Sequence, residues 1–164
     1  MIDADLYAGA ETVFSLFRAK GWTLCTAESC TGGLVAGALT AVPGSSDVVD
    51  RGFVTYSNTA KMEMLGVPST VLETHGAVSE QTARAMAQGA CRAAGVNVAV
   101  SITGVAGPGG GSLEKPVGLV HFACARRDGI VMHREMRFGE IGRDAVRHAS
   151  VLVALEMLAE SARD

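Results

Sequence analysis

Apolar residues recur at helical spacing near the start of the chain, at Leu6, Val13, Phe14 and Phe17. Asp3 can cap that helix and Gly21 can end it. Residues 22–26 form a short apolar run ended by polar residues, which predicts a buried strand. Residues 29–33 then turn into a helix over about 34–40, closed by Val42-Pro43-Gly44. The β-branched and aromatic segment Gly52-Phe53-Val54-Thr55-Tyr56 predicts a second strand, followed by a helix capped by Ser57 or Asn58 and ended by Gly66. Residues 68–76 read as a short capped turn of helix. Ser79 caps a longer helix with Ala83, Met86, Ala87 and Ala90 on one face, finishing at Gly95. Residues 96–103 are almost continuously apolar, the pattern of a strand covered on both faces.

Beyond a glycine-rich stretch, residues 117–126 and 130–138 flank Asp128-Gly129, a strong signal for a two-residue hairpin turn. A last helix over about 142–162 buries Val146, Val153 and Met157. Strands alternating with helices and then a hairpin predict a three-layer α/β/α fold. Its sheet is mixed, with about five strands including the C-terminal β-hairpin. No internal repeat or boundary interrupts residues 1–164, which reads as a single domain.

Composition sharpens this picture mainly by exclusion. Hydrophobic residues make up 48% of the 164 and charged residues 19%, which suits a large core rather than disorder. Two stretches lack charge, 29–46 and 93–113, but Gly, Pro, Ser and Thr break both, so neither predicts a membrane span. Asp3, Asp5 and Glu11 near the N-terminus do not resemble the basic start of a signal peptide, and a cytoplasmic protein is expected. Cys25, Cys30, Cys91 and Cys124 form no C-x-x-C pair, and His75, His121, His133 and His148 no H-x-x-x-H pair. Reduced, buried thiols and no metal site are expected. A net charge of −3 without a basic stripe argues against nucleic acid as a partner and favours a small molecule. An apolar hairpin edge and a long terminal helix raise the prospect of a homo-oligomer.

In a sheet of this kind ligands gather at the carboxyl ends of the strands. Three loops fit. The first is Ala27-Glu28-Ser29-Cys30-Thr31-Gly32-Gly33, whose N–H groups and hydroxyls can hold an anion such as a phosphate or can simply cap a helix. The third, residues 103–112, leaves the buried strand with five glycines that permit close backbone approach to a ligand, or serve as a linker into the hairpin. It matches neither a Walker loop nor a dinucleotide fingerprint. Between them lie Ser45, Ser46, Tyr56 and Lys61, the last two near enough in sequence to share a cleft. The chain uses eleven arginines and only three lysines, so a lysine beside a predicted site hints at a group able to lose its proton. A serine–lysine pair of that kind can attack an acyl carbon. Lys61 as a solvated helix charge is the plainer alternative. Glu28 is a candidate base or ribose ligand, Arg143 and Arg147 lie one helical turn apart and can hold a phosphate, and Cys30 is a buried thiol or an amidase nucleophile.

These segments, together with Arg51-Gly52-Phe53-Val54-Thr55-Tyr56-Ser57-Asn58, His75-Gly76-Ala77-Val78-Ser79, Gly104-Val105-Ala106-Gly107-Pro108 and Lys115-Pro116-Val117-Gly118, closely resemble the CinA C-terminal-domain family over about residues 5–160. That family includes nicotinamide-nucleotide amidohydrolases. The resemblance implies hydrolysis of the carboxamide of nicotinamide mononucleotide to nicotinate mononucleotide and ammonia, in pyridine nucleotide recycling, with no cofactor. It implies Ser46 as nucleophile, with Lys61 and Tyr56 handling the proton. It further implies that Ser29, Thr31, Thr103, Gly104 and Arg143 bind substrate, with Gly32 and Gly33 in the same loop. The alternative is a nucleotide-binding sensor without chemistry of its own, linked to competence or DNA damage. Many family members carry a larger N-terminal domain, and this chain matches the standalone form.

Overall fold

The computed structural model describes residues 2–163. Helix α1, Ala4–Lys20, begins where Asp3 accepts a hydrogen bond from the Leu6 N–H and ends at Gly21 in the left-handed conformation. Then come β1 (Leu24–Glu28), α2 (Leu34–Thr40), a 3₁₀ turn (Ser45–Asp47) and β2 (Val49–Val54). Helices α3 (Asn58–Leu65), α4 (Ser69–His75) and α5 (Glu80–Ala94) precede β3 (Val98–Gly104). The hairpin β4 (Leu119–Arg126) and β5 (Val131–Arg137) leads into α6 (Arg143–Ser161).

One mixed sheet has the order β2-β1-β3-β4-β5. β1 pairs parallel with both β2 and β3, while β3–β4 and β4–β5 are antiparallel. Helices α1, α2 and α6 bury Leu24, Val98, Val100, Ile102, Val120 and Phe122 on one face. On the other, α5 with α3 and α4 covers Cys25, Ala27, Ala99, Ala123 and Ala125. That second face is lined with small residues, so α5 lies close to the sheet. Gly89 is where it also lies close to α3, because a Cβ there would sit 1.8 Å from the Leu65 carbonyl oxygen. The three-layer α/β/α architecture with its C-terminal hairpin is therefore present, and all four cysteines are buried free thiols.

The differences from expectation lie at strand ends and turns. β1 continues through Ala27 and Glu28, past the polar residues expected to stop it, because flanking strands take its backbone and the Glu28 side chain is satisfied internally. The hairpin turn has three residues rather than two, Arg127 to Gly129. The Gly129 N–H bonds the Arg126 carbonyl, the Arg126 N–H bonds the Ile130 carbonyl, and Gly129 has φ 99°. The hairpin edge is charged rather than apolar: Arg134 on β5 reaches Glu156 at 2.9 Å and Glu160 at 3.0 Å on α6, and Glu135 and Arg137 pair beside it. Among the described residues no helix is long and apolar enough to cross a membrane.

Candidate active site

The carboxyl ends of β1, β2 and β3 open into a cleft of about 300 Å³, walled by loop residues Ser29 and Cys30, by Tyr56, Asn58 and Lys61, by Ala77 and Val78, and by the glycine-rich loop after β3. Arg143 at the start of α6 closes its mouth. A larger cavity of about 390 Å³, at the hairpin end between α5 and β4, holds none of the predicted site residues.

Lys61 lines the cleft and is almost fully buried. It sits on α3, which starts when the Ser57 hydroxyl caps the Ala60 N–H, and its side chain folds inward until only 1% of the residue is exposed. Its Nζ donates to Ser29 Oγ at 3.1 Å, to the Thr55 carbonyl at 3.0 Å and to the Tyr56 carbonyl at 3.4 Å. No carboxylate among the described residues pairs with it. Burial disfavours the ammonium form and lowers the Lys61 pKa below the ordinary lysine value of 10.5. When Nζ is a free amine, its two N–H bonds serve the two fixed carbonyls and its lone pair faces the Ser29 hydroxyl. The only rotatable partner thus becomes the donor, which is the arrangement for withdrawing a proton from Ser29.

Ser29 stands on the sharp turn between β1 and α2, its N–H held by the Ile102 carbonyl of β3 at 2.9 Å. The turn itself is anchored by Glu28, whose side chain is fully buried. Its Oε1 accepts from Thr31 Oγ1 at 2.7 Å and Val35 N at 2.9 Å, and its Oε2 accepts from Thr26 Oγ1 at 3.2 Å and Ala36 N at 3.0 Å. Two consequences follow for the expected anion site in this loop. The N–H groups that open α2 are already occupied by a carboxylate, so they have no capacity for a phosphate. Thr31, expected to touch substrate, is fully buried and spends its hydroxyl on Glu28. Gly32 and Gly33 likewise do not line the cleft; Cβ atoms there would face Arg147 at 3.4 Å and Val54 at 3.5 Å.

Ser46 is the clearest departure. It lies exposed in the 3₁₀ turn before β2, whereas Tyr56 and Lys61 follow the far end of that strand. Six residues of strand separate the two sites by roughly 20 Å. A Ser46–Lys61 pair is not formed. Sequence alone did not reveal this because Ser46 and Ser29 are both loop serines, and only strand direction distinguishes their ends of the sheet.

Tyr56 reaches Lys61 through its backbone carbonyl, while its phenol accepts from Arg143 Nη2 at 3.2 Å at the mouth. Arg143 Nη1 also donates to the Gly107 carbonyl at 2.8 Å, so one guanidinium spans two walls. Thr103 donates to the Ala77 carbonyl at 2.7 Å and fixes the back wall. At Gly104 a Cβ would lie 2.7 Å from Val120 and 2.8 Å from the Leu119 carbonyl, which makes the missing side chain necessary where the strand enters the cleft. Lys115 donates to the His75 carbonyl and ties the glycine-rich loop to the end of α4. Cys30 lines the cleft, but burial pushes its thiol pKa up to about 11, leaving it protonated and a poor nucleophile at neutral pH. His121 and His133 bond each other at 2.9 Å behind Thr103, and the described residues contain no cluster of three metal-ligating side chains.

A profile of the CinA C-terminal domain matches residues 7–162. The chain is 49% identical over 156 residues to the nicotinamide-nucleotide amidohydrolase PncC of Enterobacter agglomerans, covering 95% of this chain and 94% of that one. It is 51% identical over 160 residues to PncC of Escherichia coli strain K12, covering 96% and 95%. Other relatives, described as CinA-like, are matched over 34 to 37% of their own length. Among solved structures, the competence/damage inducible protein CihA from Agrobacterium tumefaciens superposes with a TM-score of 0.97 at 55% identity, covering 100% of this chain and 99% of that one. The chain thus belongs to the CinA C-terminal domain family.

Proposed function

We propose that this chain hydrolyses the carboxamide of nicotinamide mononucleotide to nicotinate mononucleotide and ammonia, with Ser29 as nucleophile and Lys61 as its base. The observation that carries the reading is a buried lysine with no ionised partner, aimed at a serine hydroxyl within a cleft. A purely binding pocket gains nothing from that costly arrangement. Relatives named for this activity over nearly the whole chain support the substrate.

Lys61 takes the Ser29 proton as Oγ forms a bond to the carboxamide carbon, and the carbonyl electron pair moves to oxygen. The C–N bond then breaks, Lys61 returns the proton to the departing nitrogen, and ammonia leaves an ester on Ser29. Water attacks the ester with Lys61 again accepting the proton, and the proton passes back to Ser29 Oγ as the acid is released. The phosphate belongs with Arg143 and the glycine-rich loop, since the α2 donors are taken by Glu28. Tyr56 lies at the mouth as a substrate contact and, through its carbonyl, as an orienting partner of Lys61.

The test is ammonia release by purified protein from nicotinamide mononucleotide, its riboside and free nicotinamide. Turnover of the mononucleotide well above the other two is expected. Ser29→Ala should abolish it, while Ser46→Ala should retain it. Absence of release by the unsubstituted protein refutes the activity, and a dead Ser46→Ala beside an active Ser29→Ala refutes the choice of nucleophile.

A further inference from the structure

A row of four titratable side chains lies on the α5 face of the sheet, behind the wall of the cleft. His121 on β4 stands opposite Glu135 of β5 and diagonal to His133. His121 Nδ1 and His133 Nε2 are 2.9 Å apart. Each outer nitrogen faces a carboxylate, His121 Nε2 that of Glu135 at 3.7 Å and His133 Nδ1 that of Glu80 on α5 at 3.7 Å. The two imidazole side chains are only 9% and 14% exposed. The proposed reaction uses neither of them.

Counting hydrogens in this row fixes how much charge it can hold. A neutral imidazole has one N–H and one lone pair, so two neutral rings bring two hydrogens to three gaps. One goes between the rings, and one carboxylate then faces a bare lone pair. A single added proton fills all three gaps, with an N–H towards each carboxylate and one N–H between the rings. A second added proton puts hydrogen on both inner nitrogens, and two cationic rings then meet where a hydrogen bond had been. The carboxylates do not absorb that charge freely, because Arg84 claims Glu80 at 2.8 Å and Arg137 claims Glu135 at 3.2 Å. Lys115, in the loop before β4, adds positive charge near His121, and Arg84 does so near His133. Burial, together with the neighbouring His133, lowers the His121 pKa below the ordinary 6.5, and burial lowers that of His133.

The row also joins the hairpin to the back of the cleft. Glu80 is the first residue of α5, whose cap Ser79 directly follows Ala77 and Val78 of the cleft wall. Thr103 stands opposite His121 across the β3–β4 pair and donates to the Ala77 carbonyl at 2.7 Å. We infer that His121 and His133 are a positioning pair for this wall that accommodates one proton between them, and that a second proton releases the hairpin from the start of α5. The pair touches no substrate. It makes the shape of the cleft sensitive to acid.

The experiment follows both imidazoles by nitrogen-15 NMR from about pH 8 to 4.5 in the unsubstituted protein, His133→Gln and His121→Phe, with urea midpoints and turnover of nicotinamide mononucleotide over the same range. In the unsubstituted protein the first proton should enter the pair below pH 6.5 and the second about one pH unit or more lower. Below pH 6.5 the unfolded chain binds both protons and the folded pair binds one or none, so stability is lost as pH falls. The urea midpoint of the unsubstituted protein should therefore fall relative to either variant in acid, and its KM should rise more steeply than theirs. Either variant carries the comparison if the other does not fold. Two imidazoles that titrate independently near 6.5, or midpoints that run parallel below that pH, overturn the inference. A KM that responds to acid equally in all three proteins overturns the link to the cleft. Only the KM measurement rests on the deamidase reading. If no ammonia is released, that reading fails while the NMR and urea results still decide this one.

Discussion

Replacing Glu28 by glutamine changes one atom in the centre of the site's scaffold, and the structure sets the size of the effect. Each carboxylate oxygen accepts from one hydroxyl and one backbone N–H: Thr31 and Val35 on Oε1, Thr26 and Ala36 on Oε2. Hydroxyls can rotate to accept instead, but N–H groups cannot. Whichever way the amide of Glu28→Gln is turned, its NH₂ faces a backbone donor in a site that is 0% exposed. A buried donor left without an acceptor costs about 1–3 kcal/mol. Loss of the negative charge at the opening of α2 adds about 0.3–1 kcal/mol. The smaller desolvation penalty of a neutral amide offsets part of this, and a net loss of about 2 kcal/mol is expected, a large share of the ~5–15 kcal/mol that holds a typical domain folded. Urea unfolding followed by circular dichroism should show a lower midpoint at unchanged slope. Because Ser29 is the next residue, turnover should also fall. A midpoint equal to that of the unsubstituted protein would refute the claim that Glu28 is the cap of α2.

Three further predictions concern Lys61 and the helix that carries it. If the free amine of Lys61 activates Ser29, kcat/KM rises with pH through an inflection below the ordinary lysine value of 10.5, and Lys61→Met is inactive at every pH. The same shift has a sign for stability. Between the lowered pKa of Lys61 and 10.5 the unfolded chain binds the proton and the folded chain does not, so the stability of the unsubstituted protein relative to Lys61→Met rises with pH across that window. Urea midpoints that run parallel for the two proteins from neutral pH to 10.5 would contradict it. Gly89→Ala gains about 1 kcal/mol of helix propensity, but its Cβ would meet the Leu65 carbonyl at 1.8 Å, forcing α3 away from α5. Overpacking of this kind costs about 1–3 kcal/mol, so a net loss in thermal stability and a misplaced Lys61 are expected; a variant as stable and active as the parent would refute the close packing.

The elements themselves were legible because they depend on neighbours in sequence. Asp3, Ser57 and Ser79 each cap the helix that follows them, and Gly21, Gly66 and Gly95 each end one in the left-handed conformation. Continuous apolar residues over β3 announced a strand buried on both faces. The loops that flank the cleft, with Ser29, Tyr56, Thr103 and Gly104, also followed from chain direction and glycine content, whereas Lys61 and Arg143 reach it from helices α3 and α6.

What the local pattern did not contain was which loop groups meet. Ser29 and Lys61 are 32 residues apart, and Cys30 and Arg147 are 117 apart, so no spacing rule relates them. Ser46 and Ser29 look alike along the chain, yet the direction of β2 puts the first at the amino end of the sheet and the second beside Lys61. Local capping rules offered α2 the hydroxyl of Ser29 or Thr31, whereas its N-cap is Gly33 and its first N–H groups are taken by Glu28, whose carboxylate folds back from the preceding strand to reach Val35 and Ala36. Sequence by itself determined the helices, the strands and the end of the sheet where chemistry gathers, since those follow from periodicity and chain direction. Tertiary structure alone decided that a lysine is stripped of water beside Ser29, because burial and alignment are properties of packed neighbours rather than of any segment.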